Sequence, residues 1–196
     1  MKSTSNNNRE NIKRVALQLF TQKGFENVTI AEICEKAKCS TSTFYYQFGT
    51  KDNLLDSYTK VNSVIDQSIL SSLLVLSSAW AKLWRIHETF VDSHTRLGAS
   101  LYKRIFCKYI LSDENWSESE GIAESTELII PLIMQGQEQG EIRNHTPAEE
   151  LAKSVTIHMI GTTIMWCADN GSYDLKPVMK NQLINLYDLS EELRSK

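Results

Sequence analysis

Hydrogen-bonding side chains are concentrated in one short stretch of the chain. Six of the seven residues from 40 to 46 carry a hydroxyl group: Ser40, Thr41, Ser42, Thr43, Tyr45 and Tyr46. A hydroxyl group donates one hydrogen bond and accepts two, so this stretch can contact both phosphate oxygens and base edges. Most of these side chains are small, which lets a backbone approach its partner closely. The chemistry that they favour is recognition by hydrogen bonding.

Two short helices joined by a tight turn must position these side chains. Thr29 can cap the first helix, and the glutamate three residues later completes a capping box. Ser40 can cap the second helix, which we expect to span residues 41–48. Phe44 and Phe48 lie one turn apart on that helix, so they can anchor it to a core while the hydroxyl groups face outward.

The pattern predicts a helix-turn-helix followed by the start of a third helix. In such a unit the second helix enters the DNA major groove with its N-terminal residues leading. Gly49 can end that helix in a left-handed conformation, and Thr50 can cap the next one. Lys51 then occupies the first helical position, where its charge would add to backbone amides that favour phosphate.

The spacing of these residues resembles the DNA-binding domain of TetR-family transcriptional repressors. The positions that match the family pattern are Thr29, Ala37, Ser40, Thr43, Phe44, Tyr45, Phe48, Thr50, Lys51, Asp52 and Leu54. Lys38 stands where the family's turn usually has glycine, and a lysine in a left-handed conformation costs on the order of 1 kcal/mol. Gln47 stands where an aromatic residue is common. The resemblance implies a DNA-binding regulator with a second, helical domain.

Charge is distributed unevenly along the 196 residues. The formal net charge of −3 at pH 7 by itself argues against a nucleic-acid partner. Residues 1–60, however, contain nine Lys and Arg against six Asp and Glu, giving +3, and the rest contain twelve against eighteen, giving −6. A basic N-terminal part on an acidic body suits a small DNA-binding domain joined to a ligand-binding or dimerisation domain.

Helical patterns extend over the whole chain, which contains only 3 Pro and 8 Gly. Apolar residues of the first helix form a stripe that can pack behind the helix-turn-helix. A fourth helix is expected to run without interruption from Lys51 to Ile69 and to join the two parts of the chain. We predict an all-α fold of about nine helices. Its helix-turn-helix DNA-binding domain would span residues 1–50, and a helical ligand-binding and dimerisation domain would span residues 51–196.

An aromatic-rich region in the middle of the chain is the candidate ligand pocket. Its members are Trp84, His87, His94, Tyr102, Phe106, Tyr109 and Trp116. In the resembling family such a pocket holds a small inducer, whose binding releases DNA. The alternative is an ordinary core with two hydrogen-bonded histidines. A shared metal ion is disfavoured, because seven residues along a helix separate His87 and His94 by ~10 Å.

The last two long helices are the candidate dimer interface. In the resembling family these helices pair with those of a second subunit as a four-helix bundle. The candidate residues are Val155, Met159, Thr162, Met165, Trp166, Met179, Leu183, Leu186 and Tyr187. Gly161 would allow close helix approach, and the alternative is that these residues face their own core. A two-fold dimer would read a palindrome with half-sites roughly 34 Å or more apart.

Other classes of protein find little support in the sequence. There is no glycine-rich phosphate loop, no G-x-S-x-G motif and no carboxylate set around a nucleophile. We therefore predict no enzymatic activity, no cofactor and no metal. The uncharged runs at 67–81 and 154–168 are shorter than the roughly 18–20 apolar residues of a membrane span. The N-terminus has no apolar signal core, so we expect a cytoplasmic protein.

Four cysteines are present, at positions 34, 39, 107 and 167, and none forms a C-x-x-C pair. A cytoplasmic protein would keep them reduced. Cys39 lies in the predicted turn, where the resembling family usually has valine, so we interpret it as a small apolar residue. The alternative is a redox role for Cys39 in DNA binding.

Together these patterns favour a homodimeric DNA-binding regulator that a small molecule releases from a palindromic operator. The alternative is a helical ligand-binding adaptor that keeps the fold without binding DNA. The residues that we predict to form the DNA-contacting surface are Thr29, Ser40, Thr41, Ser42, Thr43, Tyr45, Tyr46 and Lys51. The sequence leaves open the operator, the effector, the regulated genes and whether binding represses or activates.

Overall fold

The computed structural model describes residues 2–58, 65–111 and 120–194. Within these ranges the chain forms eleven helices and one isolated β-bridge, between Ile142 and Leu189. The helices are α1 Lys2–Lys23, α2 Ile30–Ala37, α3 Thr41–Phe48, α4 Lys51–Asp56, α5 Gln67–Leu73, α6 Ala79–Leu97, α7 Ala99–Ile110, α8 Glu120–Glu138, α9 Ala148–Ala168, α10 Leu175–Leu186 and α11 Glu191–Arg194. The predicted all-α fold is confirmed.

The chain divides into two compact units, Met1–Thr59 and Lys60–Lys196. The boundary predicted after residue 50 lies inside the first unit. The physical reason is that α4 belongs to the N-terminal core, where its Leu54 and Leu55 are buried and the helix packs on α3.

Apolar side chains from α1 to α4 form the core of the first unit. The α1 stripe recurs at helical spacing, so α1 presents one continuous apolar face to α2. The most deeply buried members of this core are Ile12, Ala16, Leu19, Phe20, Ile33, Phe44, Leu54 and Leu55. This core holds α2 and α3, the two helices of the predicted helix-turn-helix, on α1.

The expected continuous helix from Lys51 to Ile69 is wrong. Asp66 has an extended backbone, with φ −104° and ψ 177°, and it begins the separate helix α5. Its carboxylate accepts hydrogen bonds from the backbone amides of Ser68 and Ile69, at 2.9 and 3.0 Å. An aspartate in this role caps a new helix instead of continuing the previous one, so an apolar periodicity alone gave the wrong answer here.

Four long helices and α10 build the core of the second unit. α8 packs along α9, α6 packs on α8 and α10, and α7 packs on α9. Their buried side chains include Leu83, Ile86, Val91, Ile129, Ile133, Leu151, Val155, Met179 and Leu183. The Glu141 carboxylate caps α6 by accepting from the Ser78 hydroxyl at 2.9 Å and the Trp80 amide at 2.8 Å. Across the described residues, no helix combines the length and the apolar character that crossing a bilayer requires.

Candidate nucleic-acid interface

Three successive helices of the first unit begin at the capping residues that the sequence indicated. Thr29, Ser40 and Thr50 each accept a hydrogen bond from the amide three residues later, at 3.0–3.1 Å. Each bond satisfies one of the amides that a helix start leaves without an intrahelical partner. The predicted capping box is only half formed, because the Glu32 carboxylate contacts Lys23 Nζ at 2.5 Å.

The turn between α2 and α3 is a Schellman motif. The Cys39 amide donates to the Cys34 carbonyl at 3.0 Å, and the Lys38 amide donates to the Glu35 carbonyl at 3.2 Å. Lys38 adopts the left-handed conformation, with φ 54° and ψ 47°. The chain therefore makes the sharp turn without the usual glycine, and it leaves the Lys38 side chain exposed beside the start of α3.

A hydroxyl network fixes the start of α3. Ser40 Oγ lies 2.8 Å from Ser42 Oγ and 2.8 Å from Thr43 Oγ1, and it also accepts from the Thr43 amide. These three bonds occupy the one donor and two acceptor positions of a hydroxyl group. Ser40 thus orients its neighbours, whereas Thr41 and Ser42 are exposed at the helix start.

The two faces of α3 differ sharply in exposure. Phe44 and Phe48 are buried and their rings lie 5.5 Å apart, as the sequence predicted for the anchoring face. Tyr45 is 55% exposed and Tyr46 is 88% exposed on the opposite side. This face therefore presents polar hydroxyl groups and two aromatic rings to solvent, where a partner can contact them.

Lys51 is tied to the first unit by its own ammonium group. Its Nζ donates to the Phe25 carbonyl at 2.7 Å and to the Val28 carbonyl at 2.8 Å. The same group lies 4.3 Å from the centre of the Phe25 ring, a cation–π contact. An ammonium group has three donors, and two of them are used inside the domain.

Two α1 side chains that the sequence did not single out hold the C-terminal ends of the helix-turn-helix. Arg9 Nη1 donates to the Gln47 carbonyl at 2.8 Å, and its guanidinium lies 4.5 Å from the centre of the Phe48 ring. Asn11 Nδ2 donates to the Ala37 carbonyl at 2.9 Å. Both contacts join residues far apart in sequence, so no local pattern could have revealed them.

The predicted pocket residues separate into two groups in the second unit. His87 Nε2 and the Tyr187 hydroxyl form a buried hydrogen bond at 2.9 Å, next to Trp80. Burial lowers the pKa of His87 to about 3, so the ring is neutral. Trp84 lies beside this group, 6.0 Å from the Trp80 ring.

The second group brings together side chains from α6, α7 and α9. The His94 and Tyr102 rings lie 4.3 Å apart, and the Tyr102 and Phe106 rings lie 5.0 Å apart. Thr163 Oγ1 lies 3.4 Å from His94 Nδ1. Burial raises the pKa of Tyr102. Tyr109 is half-buried one turn beyond Phe106 on α7.

Trp116, the remaining candidate for the pocket, lies outside the described residues. Among the residues that are described, no three His, Cys, Asp or Glu side chains form a group that could hold a metal ion.

Most of the candidate dimer-interface residues are buried within their own subunit. Met159 is one of these buried residues. The Thr162 hydroxyl donates to Gln182 Oε1 at 2.8 Å, and Trp166 Nε1 donates to the Tyr173 carbonyl at 3.0 Å, so both side chains bond within the subunit. The side chains with no measurable exposure are Val155, Met179, Leu183 and Tyr187. For these seven residues the structure favours the alternative, packing in their own core.

Two of the interface candidates keep exposed surface. Met165 on α9 is 58% exposed, and Leu186 at the end of α10 is half-buried. Ile157, which is not among the predicted interface residues, is 70% exposed on α9, two turns before Met165. Gly161 lies between them, and a Cβ atom built there would meet nothing within 4 Å.

The capped helices, the tight turn and the exposed face of α3 together form a helix-turn-helix. Residues 12–58 match the family model described as bacterial regulatory proteins, tetR family. The Transposon Tn10 TetC protein of Escherichia coli is 31% identical over 74 residues, which span 38% of this chain and 38% of that protein. Residues 12–58 therefore form a domain of the tetR family of bacterial regulatory proteins.

Solved structures resemble the chain over most of its length. FadR of Thermus thermophilus, a TetR-family repressor in complex with lauroyl-CoA, aligns with TM-score 0.62 and 21% identity over 91% of this chain and 92% of its own. A choline-bound regulator from Saccharomonospora viridis aligns with TM-score 0.65 and 20% identity over 90% and 95% of the two chains. At these identities the structures show a shared fold.

Proposed function

We propose that the protein is a homodimeric transcriptional repressor that a small molecule releases from a palindromic operator. The observation that carries the DNA-binding part is the outward face of α3. There, exposed hydroxyl groups at a capped helix start stand beside two exposed tyrosines, on a helix anchored by Phe44 and Phe48. Tyr45 and Tyr46, 55% and 88% exposed beside these hydroxyl groups, supply aromatic contact area on the same face.

Each part of this face has a separate task in the proposal. Thr41, Ser42, Thr43 and Tyr46 meet base edges or the adjacent backbone, and Thr29, Tyr45 and the remaining donor of Lys51 meet phosphates. Ser40 contributes by orienting the hydroxyl groups beside it, because its own hydrogen-bonding positions are filled. Lys36 and Lys38, exposed at the end of α2, add positive charge next to the helix start.

The proposed dimer uses the exposed ridge of α9 formed by Ile157, Gly161 and Met165. These residues recur every fourth position, so they lie along one face of the helix. Two large apolar side chains in water with a glycine between them suit close packing against the same ridge of a second copy. A two-fold contact of this kind presents two copies of α3 to the two halves of a palindrome.

The proposed effector site is the group formed by His94, Tyr102, Phe106 and Thr163. Its walls are aromatic, and one imidazole, one phenol and one hydroxyl group supply polar contacts, which is the usual make-up of a small-molecule site. The two structural neighbours hold lauroyl-CoA and choline in the corresponding fold. Acyl thioesters and quaternary ammonium compounds are therefore the first two classes to test, by thermal shift of the purified protein.

The test of DNA binding is selection of fragments of the source genome on the purified protein, followed by titration of the enriched fragment at several salt concentrations. We expect a shared palindrome and an affinity that falls steeply with salt, because each phosphate contact releases counterions. A folded dimer that enriches no fragment, with and without the candidate effectors, would contradict the proposal. It would favour the alternative, a helical adaptor that does not bind DNA.

A further inference from the structure

Cys34 and Cys39 meet across the turn between α2 and α3. Cys34 is buried near the end of α2, and Cys39 is half-exposed in the turn. Their backbones are joined by the 3.0 Å hydrogen bond from the Cys39 amide to the Cys34 carbonyl, which closes the Schellman motif. Side chains at these two positions of the motif commonly touch. Here both positions hold a thiol.

The Cys39 thiol is accessible to solvent and the Cys34 thiol is not. An oxidant can therefore react with Cys39 first, and Cys34 can then react with the oxidised Cys39. Burial, with a smaller contribution from the neighbouring Cys39 thiol, raises the pKa of Cys34 to about 11. Cys34 is thus a protonated, shielded thiol, whereas Cys39 is open to a small oxidant in solvent. An accessible thiol next to a second thiol is the usual arrangement of a cysteine that is oxidised and then resolved.

We propose that Cys34 and Cys39 are a modification site, at which a hydroperoxide converts the two thiols into a disulfide that loosens the start of the recognition helix α3. The Cys39 sulfur first attacks the O–O bond, an alcohol or water leaves, and a sulfenic acid remains. The Cys34 sulfur then attacks the Cys39 sulfur, and its proton leaves with the hydroxyl group as water. Two electrons pass from the two sulfurs to one hydroperoxide.

Formation of this bond acts directly on the residue that caps α3. The Cys34 thiol donates to the Ser40 carbonyl at 3.8 Å, and Ser40 in turn holds the Thr43 amide and the hydroxyl groups of α3. A disulfide holds its sulfur atoms about 2.05 Å apart, closer than two thiols in contact. Closure therefore removes the Cys34 donor and draws Cys39 and Ser40 toward α2.

The short loop makes the disulfide reversible. Only four residues separate the two cysteines, and one of them, Lys38, already has the strained left-handed conformation. Strained disulfides are more oxidising than structural ones and are reduced readily by cellular thiols. The consequence for operator binding rests on the proposed function, whereas formation of the bond does not.

The bond can be measured without any DNA. Hydrogen peroxide is added to the Cys107→Ser protein, in which the exposed thiol of α7 has been removed. The matched control is the double variant that carries Cys107→Ser and Cys39→Val. Trypsin cleaves after Lys36 and Lys38, so a disulfide appears as two linked peptides that have lost two hydrogen atoms. We expect the linked pair in the first protein, its loss with dithiothreitol, and none in the control.

Two results would overturn the modification site. One is the absence of the linked pair at peroxide concentrations that oxidise Cys107 in the unaltered protein. The other is conversion of Cys39 to a sulfinic acid without a link to Cys34. The first result would mean that Cys39 is a small apolar residue of the turn, as a valine would be. The second would mean that Cys39 is oxidised but that Cys34 does not resolve it.

The effect on recognition is measured by operator binding and by hydrogen exchange at the Thr43 amide. The oxidised protein should bind the selected fragment at least about tenfold more weakly, or ~1.4 kcal/mol, and exchange this amide faster. The Cys39→Val protein should be insensitive to peroxide in both measurements. A linked protein with unchanged exchange would contradict the proposed loosening. Failure of the reduced protein to bind any fragment would count against the proposed function and leave the linked peptides as evidence for the site.

Discussion

The Lys51 ammonium group donates a 2.8 Å hydrogen bond to the carbonyl of Val28, the residue that precedes the N-cap of α2. A side chain at the start of α4 thereby fixes the entry of α2. The residue that the sequence selected as a phosphate contact is first a link within its own domain. Its substitution should therefore change both folding and DNA binding, and the two effects can be separated.

Replacement of Lys51 by methionine should lower the free energy of unfolding by about 1–3 kcal/mol, because two carbonyl groups lose a charged donor. Urea denaturation measures this loss. Lys38→Met is the matched control, since that lysine is exposed, and its removal should change stability by less than about 0.5 kcal/mol. If Lys51 also meets a phosphate, the slope of log affinity against log salt should decrease by about 1. An unchanged slope would leave Lys51 only its structural role.

Replacement of Ser40 by alanine should destabilise the protein by about 1 kcal/mol, through loss of the α3 cap. Operator binding should weaken as well, because the Ser42 and Thr43 hydroxyl groups lose the partner that orients them. Ser40→Asn keeps a capping oxygen and should restore most of the stability. Ser42→Ala should leave stability nearly unchanged and alter the preference between operator variants. Equal effects on all operators would contradict base contact by Ser42.

Tyr46→Ala should leave the free energy of unfolding within about 0.5 kcal/mol of the parent value, because the side chain is 88% exposed. The same change should weaken operator binding by about 1.5–3 kcal/mol if the phenol donates to DNA phosphate or base oxygen atoms. Leu74→Ala is the control, since Leu74 is 87% exposed but lies outside the first unit. The operator affinities of the two variants are compared by titration, and only Tyr46→Ala should weaken binding. Equal effects of the two changes would exclude a specific role for Tyr46.

The free energy of unfolding should decrease as the pH is lowered, because His87 is held neutral in the folded protein. Its pKa is about 3 in the folded protein against 6.5 for the free side chain. Between these values the unfolded chain binds a proton that the folded protein does not, so this contribution is complete above pH 6.5 and decreases as the pH falls. The loss between pH 6.5 and 5 should approach ~2 kcal/mol.

Urea denaturation of the parent and of His87→Gln at pH 6.5 and at pH 5 separates the contribution of His87 to the free energy of unfolding from the contributions of other titrating groups. The variant should lose less stability than the parent over the same interval, whatever its absolute stability. An identical pH dependence in the two proteins would show that His87 can take up a proton in the folded state.

Gly161→Ala should separate folding of the subunit from assembly. A Cβ atom at this position meets nothing in the subunit, so alanine should stabilise α9 by about 0.5–1 kcal/mol. The proposed dimer needs close approach at Gly161, so the variant dimer should be weaker. It should dissociate at a protein concentration at which the parent protein is still dimeric. Sedimentation equilibrium measures the change, and Met165→Glu should give monomers. If neither change affects assembly, the dimer forms at another surface.

Local chemistry in the sequence was enough to find the candidate site. The caps Thr29, Ser40 and Thr50 are single residues whose side chains reach an amide three positions away. Phe44 and Phe48 follow the helical repeat. Contacts of this range depend on neighbours in sequence, so the helix-turn-helix and the outward face of α3 followed from the residues alone.

The tertiary structure decided which side chains are free to meet a partner. Tyr187 points inward to His87, although the helical pattern of α10 is equally compatible with an outward direction. Lys51 and Arg9 reach carbonyl groups that lie more than twenty residues away. A sequence pattern specifies one face of a helix, but the neighbour that covers this face comes from long-range packing. The assignment of each polar or apolar side chain to core, support or interface therefore required the folded chain.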